Sequence, residues 1–171
     1  MTKPISPWFR TATRTLGAVG LLVVGGVHYQ QYHYDFYSAI PTIGPLFLAN
    51  FVAASALGLF LLSPLRPPGH LGTRLDRLAA LAGMGLAAGA FVGLLVSEHT
   101  PLFGFSEHGY RFAIVLALAS EAFVMVMLGL FLIGELRTAP LAAPPSGPGD
   151  SSYRHGPIFP DALGPDSKRY E

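Results

Sequence analysis

Apolar residues in this chain gather in blocks instead of recurring at a helical period. Four blocks stand out: Leu16–Val27, Pro45–Leu62, Leu78–Val96 and Phe112–Gly134. Basic, proline-rich or aromatic segments separate them. In a bilayer the backbone must satisfy its own hydrogen bonds, so each block is predicted as a helix. With flanking residues added, the helices run over about 11–29, 45–63, 78–97 and 111–134. Each then approaches the ~17–25 residues that cross the hydrocarbon core, the first being the shortest. Pro45 suits a first helical turn, with Thr42 or Gly44 as its cap. The fold class predicted is all-α: an integral membrane four-helix bundle over 11–136. It follows an N-terminal segment, 1–10, and precedes a tail, 137–171, rich in Pro, Gly and Ser without periodicity. That tail is expected to be disordered.

Composition supports the bilayer. Only 12% of the 171 residues are charged, about half the share of a soluble domain. A net charge of +1 gives no reason to expect nucleic acid. With no cysteine, disulfides, thiolate metal sites and thiol redox chemistry are excluded. Basic residues fall at Lys3, Arg10 and Arg14, at Arg66, Arg74 and Arg77, and at Arg137, while the other two connections hold only Arg111. The positive-inside rule then places both termini in the cytoplasm of a multi-pass protein of a bacterial cytoplasmic (plasma) membrane. No A-x-A-like cleavage site follows Val27, so the first block reads as a retained helix. The segments His28–Phe47 and Ser97–Arg111 would face out.

Glu121 is the sharpest candidate. Lying ~14 Å inside the fourth helix by rise per residue, it should face the bundle interior, because a lipid-facing carboxylate is costly. Asn50 is the expected partner, with Ser55, Ser120 or water as bridges. Two readings stand: a proton or cation relay or ligand anchor, and a protonated Glu that serves as an interhelical hydrogen bond. Gly85, Gly89 and Gly93 recur every four residues along the third helix. Such faces serve internal packing, with Gly25 and Gly26 as a counter-surface, or a homo-oligomer contact.

The outward segments collect His28, His33, Asp35, Glu98, His99, Glu107 and His108. Imidazole and carboxylate are the ligands for zinc, copper or iron when thiolate is absent. A metal set drawn from His28, His33, His99, Glu107 and His108 is one reading, and a haem between His28 and His99 another. Ordinary interfacial histidines and no cofactor are the reading against them, since no pair has a recognised ligand spacing. The aromatic residues Tyr29, Tyr32, Tyr34, Phe36 and Tyr37 suit interfacial anchoring or a lid over a lipid or quinone site. No nucleotide loop, Ser/His/Asp arrangement or HExxH occurs.

With His28 before Ile40–Asn50 (IPTIGPLFLAN), then Phe103–Glu107 (FGFSE) and Ala119–Glu121 (ASE), the chain resembles a group of small four-helix actinobacterial membrane proteins. Their architecture is DoxX-like. The resemblance covers about 10–135 and implies a four-helix bundle without an established activity. DoxX-type proteins are linked to respiratory or redox partners, but the missing cysteines weigh against thiol chemistry here.

Three functions follow as expectations. The first is a non-enzymatic membrane protein that binds a protein partner or small ligand through its outer loops and Glu121. The second is a redox subunit handling quinone, metal or haem. The third is a small proton-coupled permease that would need to oligomerise.

Overall fold

The computed structural model describes residues 6–64, 67, 69–101 and 112–138, and these hold four helices and no strand. Helix α1 spans Pro7–Tyr34, α2 Ile43–Leu62, α3 His70–His99 and α4 Phe112–Thr138. Three of them, α2, α3 and α4, are long and apolar enough to cross a membrane. Helix α1 is 28 residues long, yet its apolar run is Leu16–Val27, with Arg14 before it and His28 after. It is therefore not one of the three, and the first of the four expected spans is the one that falls short.

Two boundaries differ from the hydropathy reading. Helix α1 continues past Tyr29 to Tyr34, and α3 starts at His70, eight residues before Leu78. Both extensions are polar, so hydropathy ends where the helix does not. Pro45 is the third residue of α2, in the first turn, where a missing N–H costs nothing. Thr42 does occupy the cap position, but its hydroxyl makes no capping bond. Its backbone, φ 69° and ψ −49°, forms the centre of a tight three-residue turn closed by Ile43 N–H donating to Pro41 O at 2.8 Å. This is the strained form of such a turn. Phe36, also at positive φ (61°), opens the same short connection, which contains a single 3-10 turn, Tyr37–Ala39.

The helices pack in the cyclic order α1–α2–α3–α4. Helix α1 packs closely on α2 and α4, and α3 on α4. The α2/α3 seam is the loosest of the four neighbouring pairs. Leu21, Val24, Ala54, Leu61, Ala80, Ala87, Val124 and Leu128 form the core. Glycines make the tight seams possible. A Cβ on Gly58 would sit 2.9 Å from the backbone oxygen of Ala18, and one on Gly17 would meet Leu128. The glycines of α3 behave differently: a Cβ on Gly85, Gly89 or Gly93 would meet nothing within 4 Å. Gly25 packs against Ser55 and Phe51 of α2, so it is not the counter-surface of the α3 glycines. The outward surface stays apolar, with Val19, Val23, Val52, Leu59, Leu81, Val92, Val115 and Val126 all exposed.

At the Arg10 end of the bundle, three helices are tied by ions. Glu135 of α4, 2% exposed, pairs with Arg10 of α1 and with Arg77 of α3, whose Nη2 lies 3.1 Å from its Oε2. Arg77 also donates to the Glu135 carbonyl at 3.3 Å. Arg14 of α1 reaches Asp76 of α3 at 3.4 Å. The arginines that mark topology in the sequence are thus also structural, since Arg10, Arg14 and Arg77 each hold a buried acid.

Candidate functional site: a cavity between the four helices

A cavity of about 480 Å³ lies at the opposite end of the bundle. Its position follows from the packing. Where α2 and α3 separate, the three α3 glycines have no side chains to fill the gap, and Gly85, Gly89 and Gly93 become its wall. Leu46, Phe47, Ala49, Asn50 and Ala53 of α2 face them. Leu46 and Ala49 on α2, and Gly85 and Gly89 on α3, are exposed, so the mouth runs along the α2/α3 seam. The strained connection between α1 and α2 closes the end. Tyr37, only 6% exposed, lines the cavity and packs edge-on to Phe47 at a 5.0 Å centroid separation.

Among the described residues the inner surface is mostly apolar, with a few polar side chains. Glu121 of α4, 1% exposed, and His28 and Gln31 of α1 line the cavity together with Asn50 and with Ser97, whose hydroxyl turns back to the Leu94 carbonyl at 2.8 Å. The buried stripe of α1 explains the pair on that helix: Gly17, Leu21, Val24, His28 and Gln31 recur at spacings of three and four, one helical face. The Nδ1 of His28 lies 2.9 Å from the Val24 carbonyl. A carbonyl only accepts, so Nδ1 carries a proton. Nε2, a lone pair when the ring is neutral, lies 3.8 Å from Oε1 of Glu121. The other carboxyl oxygen, Oε2, is buried without a hydrogen-bond partner, as are Asn50 Oδ1 and Gln31 Nε2. Buried polar atoms without partners are uncommon in folded proteins, and here three share one cavity.

The structure thus brings Glu121 and Asn50 to the same cavity, while the near neighbour of the carboxyl is His28. Ser120 turns back to the Ala117 carbonyl of its own helix at 2.9 Å. Of the histidine set, His28 is buried, whereas His33 is exposed and stacked on Tyr29. His99 is also exposed and bonded to Leu95 O at 2.9 Å, outside the cavity lining. Glu107 and His108 lie outside the described residues, as does the tail from 139 on. Among the described residues no three His, Asp or Glu side chains gather as metal ligands. Gln31 was missed by the sequence reading because the predicted helix stopped at Tyr29. Continuing the 17–21–24–28 stripe by one step would have found it.

No protein-family model, curated protein or solved structure matches the chain.

Proposed function

We propose that the chain is a small membrane protein that binds a small, largely apolar ligand in this cavity, with Glu121 as the polar anchor. The observation that carries the reading is a buried carboxyl group, Glu121, with one oxygen partnerless, among the lining residues of a 480 Å³ cavity whose walls are mostly apolar. Ligand sites are concavities of roughly 300–1,000 Å³ with apolar walls and a few convergent polar groups. A bilayer location is supported by the three long apolar helices and by the apolar outward surface, which α1 shares through Val19 and Val23. In this proposal all four helices are embedded, both termini face the cytoplasm of a bacterial plasma membrane, and the architecture is DoxX-like.

Gly89→Leu tests the reading, because its side chain points into open space and should fill the cavity without disturbing the core. Protein purified in mild detergent and analysed by native mass spectrometry should carry a bound small molecule that the variant lacks at equal helicity. Identical spectra would sink the proposal.

One observation favours a second reading, proton-coupled transport. A protonated Glu121 and the Nε2 lone pair of His28, 3.8 Å apart, form a donor and acceptor between which a proton can move. A four-helix chain is small for a pathway, so this version needs a second copy.

A further inference from the structure

Resting on the binding reading above, we infer that the ligand is a lipophilic amine: a protonated nitrogen on an apolar body, reaching the cavity sideways from the lipid between α2 and α3. The inference comes from the hydrogen-bonding inventory of the cavity.

Two of its polar groups are acceptors by their chemistry. Glu121 has Oε2 with no partner, and in the neutral ring the Val24 bond to Nδ1 leaves His28 Nε2 as a lone pair. Of the two amides, Asn50 leaves its accepting Oδ1 unpartnered and Gln31 its donating Nε2, so acceptors outnumber donors. The site therefore asks for a donor-rich group, and an ammonium offers N–H donors with no lone pair to oppose them.

Charge points the same way. A carboxylate out of water needs a counter-charge. Among the described residues no Lys or Arg lines the cavity, and His28, the basic side chain beside Glu121, supplies no charge while its ring is neutral. Arg10, Arg14 and Arg77 sit at the other end of the bundle, held by Glu135 and Asp76. The missing positive charge is one that a ligand can bring. Phe47 and Tyr37 add to this. Both line the cavity, and Phe47 lies 5.1 Å from the His28 ring, so an aromatic face stands beside the place where the cation would sit. The mouth lies along the apolar α2/α3 seam, where an amphiphile dissolved in the bilayer would meet it.

The test is equilibrium binding of three probes with one carbon skeleton, phenylhexylamine, phenylhexanol and phenylhexanoate, to the full chain in lipid nanodiscs. Gly89→Leu nanodiscs supply the background from partitioning into lipid. The amine should bind roughly 10–100-fold more tightly than the alcohol, the range expected of a charge-assisted hydrogen bond. The carboxylate should bind least, and Glu121→Gln should bring the amine down to the level of the alcohol. If the alcohol or the carboxylate binds as well as the amine, the amine inference is overturned and the binding reading survives. If none of the three exceeds the Gly89→Leu background, both are overturned.

Discussion

Glu135→Ala should destabilise the bundle by about 3 kcal/mol, among the largest effects of any single substitution outside the core. Glu135 is buried and holds two guanidinium groups from two other helices, Arg10 of α1 and Arg77 of α3. Removing the shared acid deprives both cations of the carboxylate that joins their helices. Breaking a buried ion pair by deleting one partner costs about 3–5 kcal/mol. The lower end applies because each arginine side chain retains 34% of its exposure, and solvent screens the loss. Reversible SDS unfolding followed by circular dichroism measures it. Arg74→Ala, on the exposed side of α3, should shift the same curve by less than about 0.5 kcal/mol. Equal effects for the two substitutions would mean that the ion cluster does not join the helices.

Glu121→Met should act in the opposite direction on stability. The carboxyl lines an apolar cavity with one oxygen partnerless and the other 3.8 Å from His28. Burying a polar atom without a partner costs about 1–3 kcal/mol, so a thioether of similar length should raise stability by roughly 1–2 kcal/mol. Binding of a cationic amphiphile should fall at least tenfold in the same variant. If Glu121 served instead as an interhelical hydrogen bond, Glu121→Met would lower stability, and the SDS midpoint would move down.

The contrast between Glu135 and Glu121 shows what the sequence made legible. Glu121 stood out because it interrupts an apolar block, and hydropathy registers interruptions. Glu135 did not, because it follows the block and resembles a helix end meeting water. Its role depends on Arg10 and Arg77, 125 and 58 positions away, and on the order in which the helices pack. The four helices themselves were readable, since long apolar blocks without strand-like alternation are helical. Their ends were not. Hydropathy reports which residues tolerate lipid, whereas α3 begins at His70 by running Asp76 and Arg77 into ion pairs. Helix α1 likewise continues through a polar aromatic stretch to Tyr34. The glycines illustrate a further limit. Their spacing in α3 was plain, and spacing says that they share a face, but whether that face is packed or left open depends on how far α2 stands away. His28 appeared first as a surface ligand. Its register with Gly17, Leu21 and Val24, already present in the sequence, is what places it beside Glu121.

The central claim is that the α3 glycines border an accessible cavity within one chain. The most direct measurement uses the absence of cysteine in the sequence. Gly89→Cys and Ala80→Cys each introduce one thiol, the first at the cavity wall and the second in the core, where Ala80 is 0% exposed. In nanodiscs, N-ethylmaleimide should label Gly89→Cys far faster than Ala80→Cys, phenylhexylamine should slow that labelling, and oxidation should give no disulfide-linked dimer. Labelling no faster than at Ala80→Cys, or rapid cross-linking between two copies, would contradict the cavity and return the glycine face to a helix–helix contact.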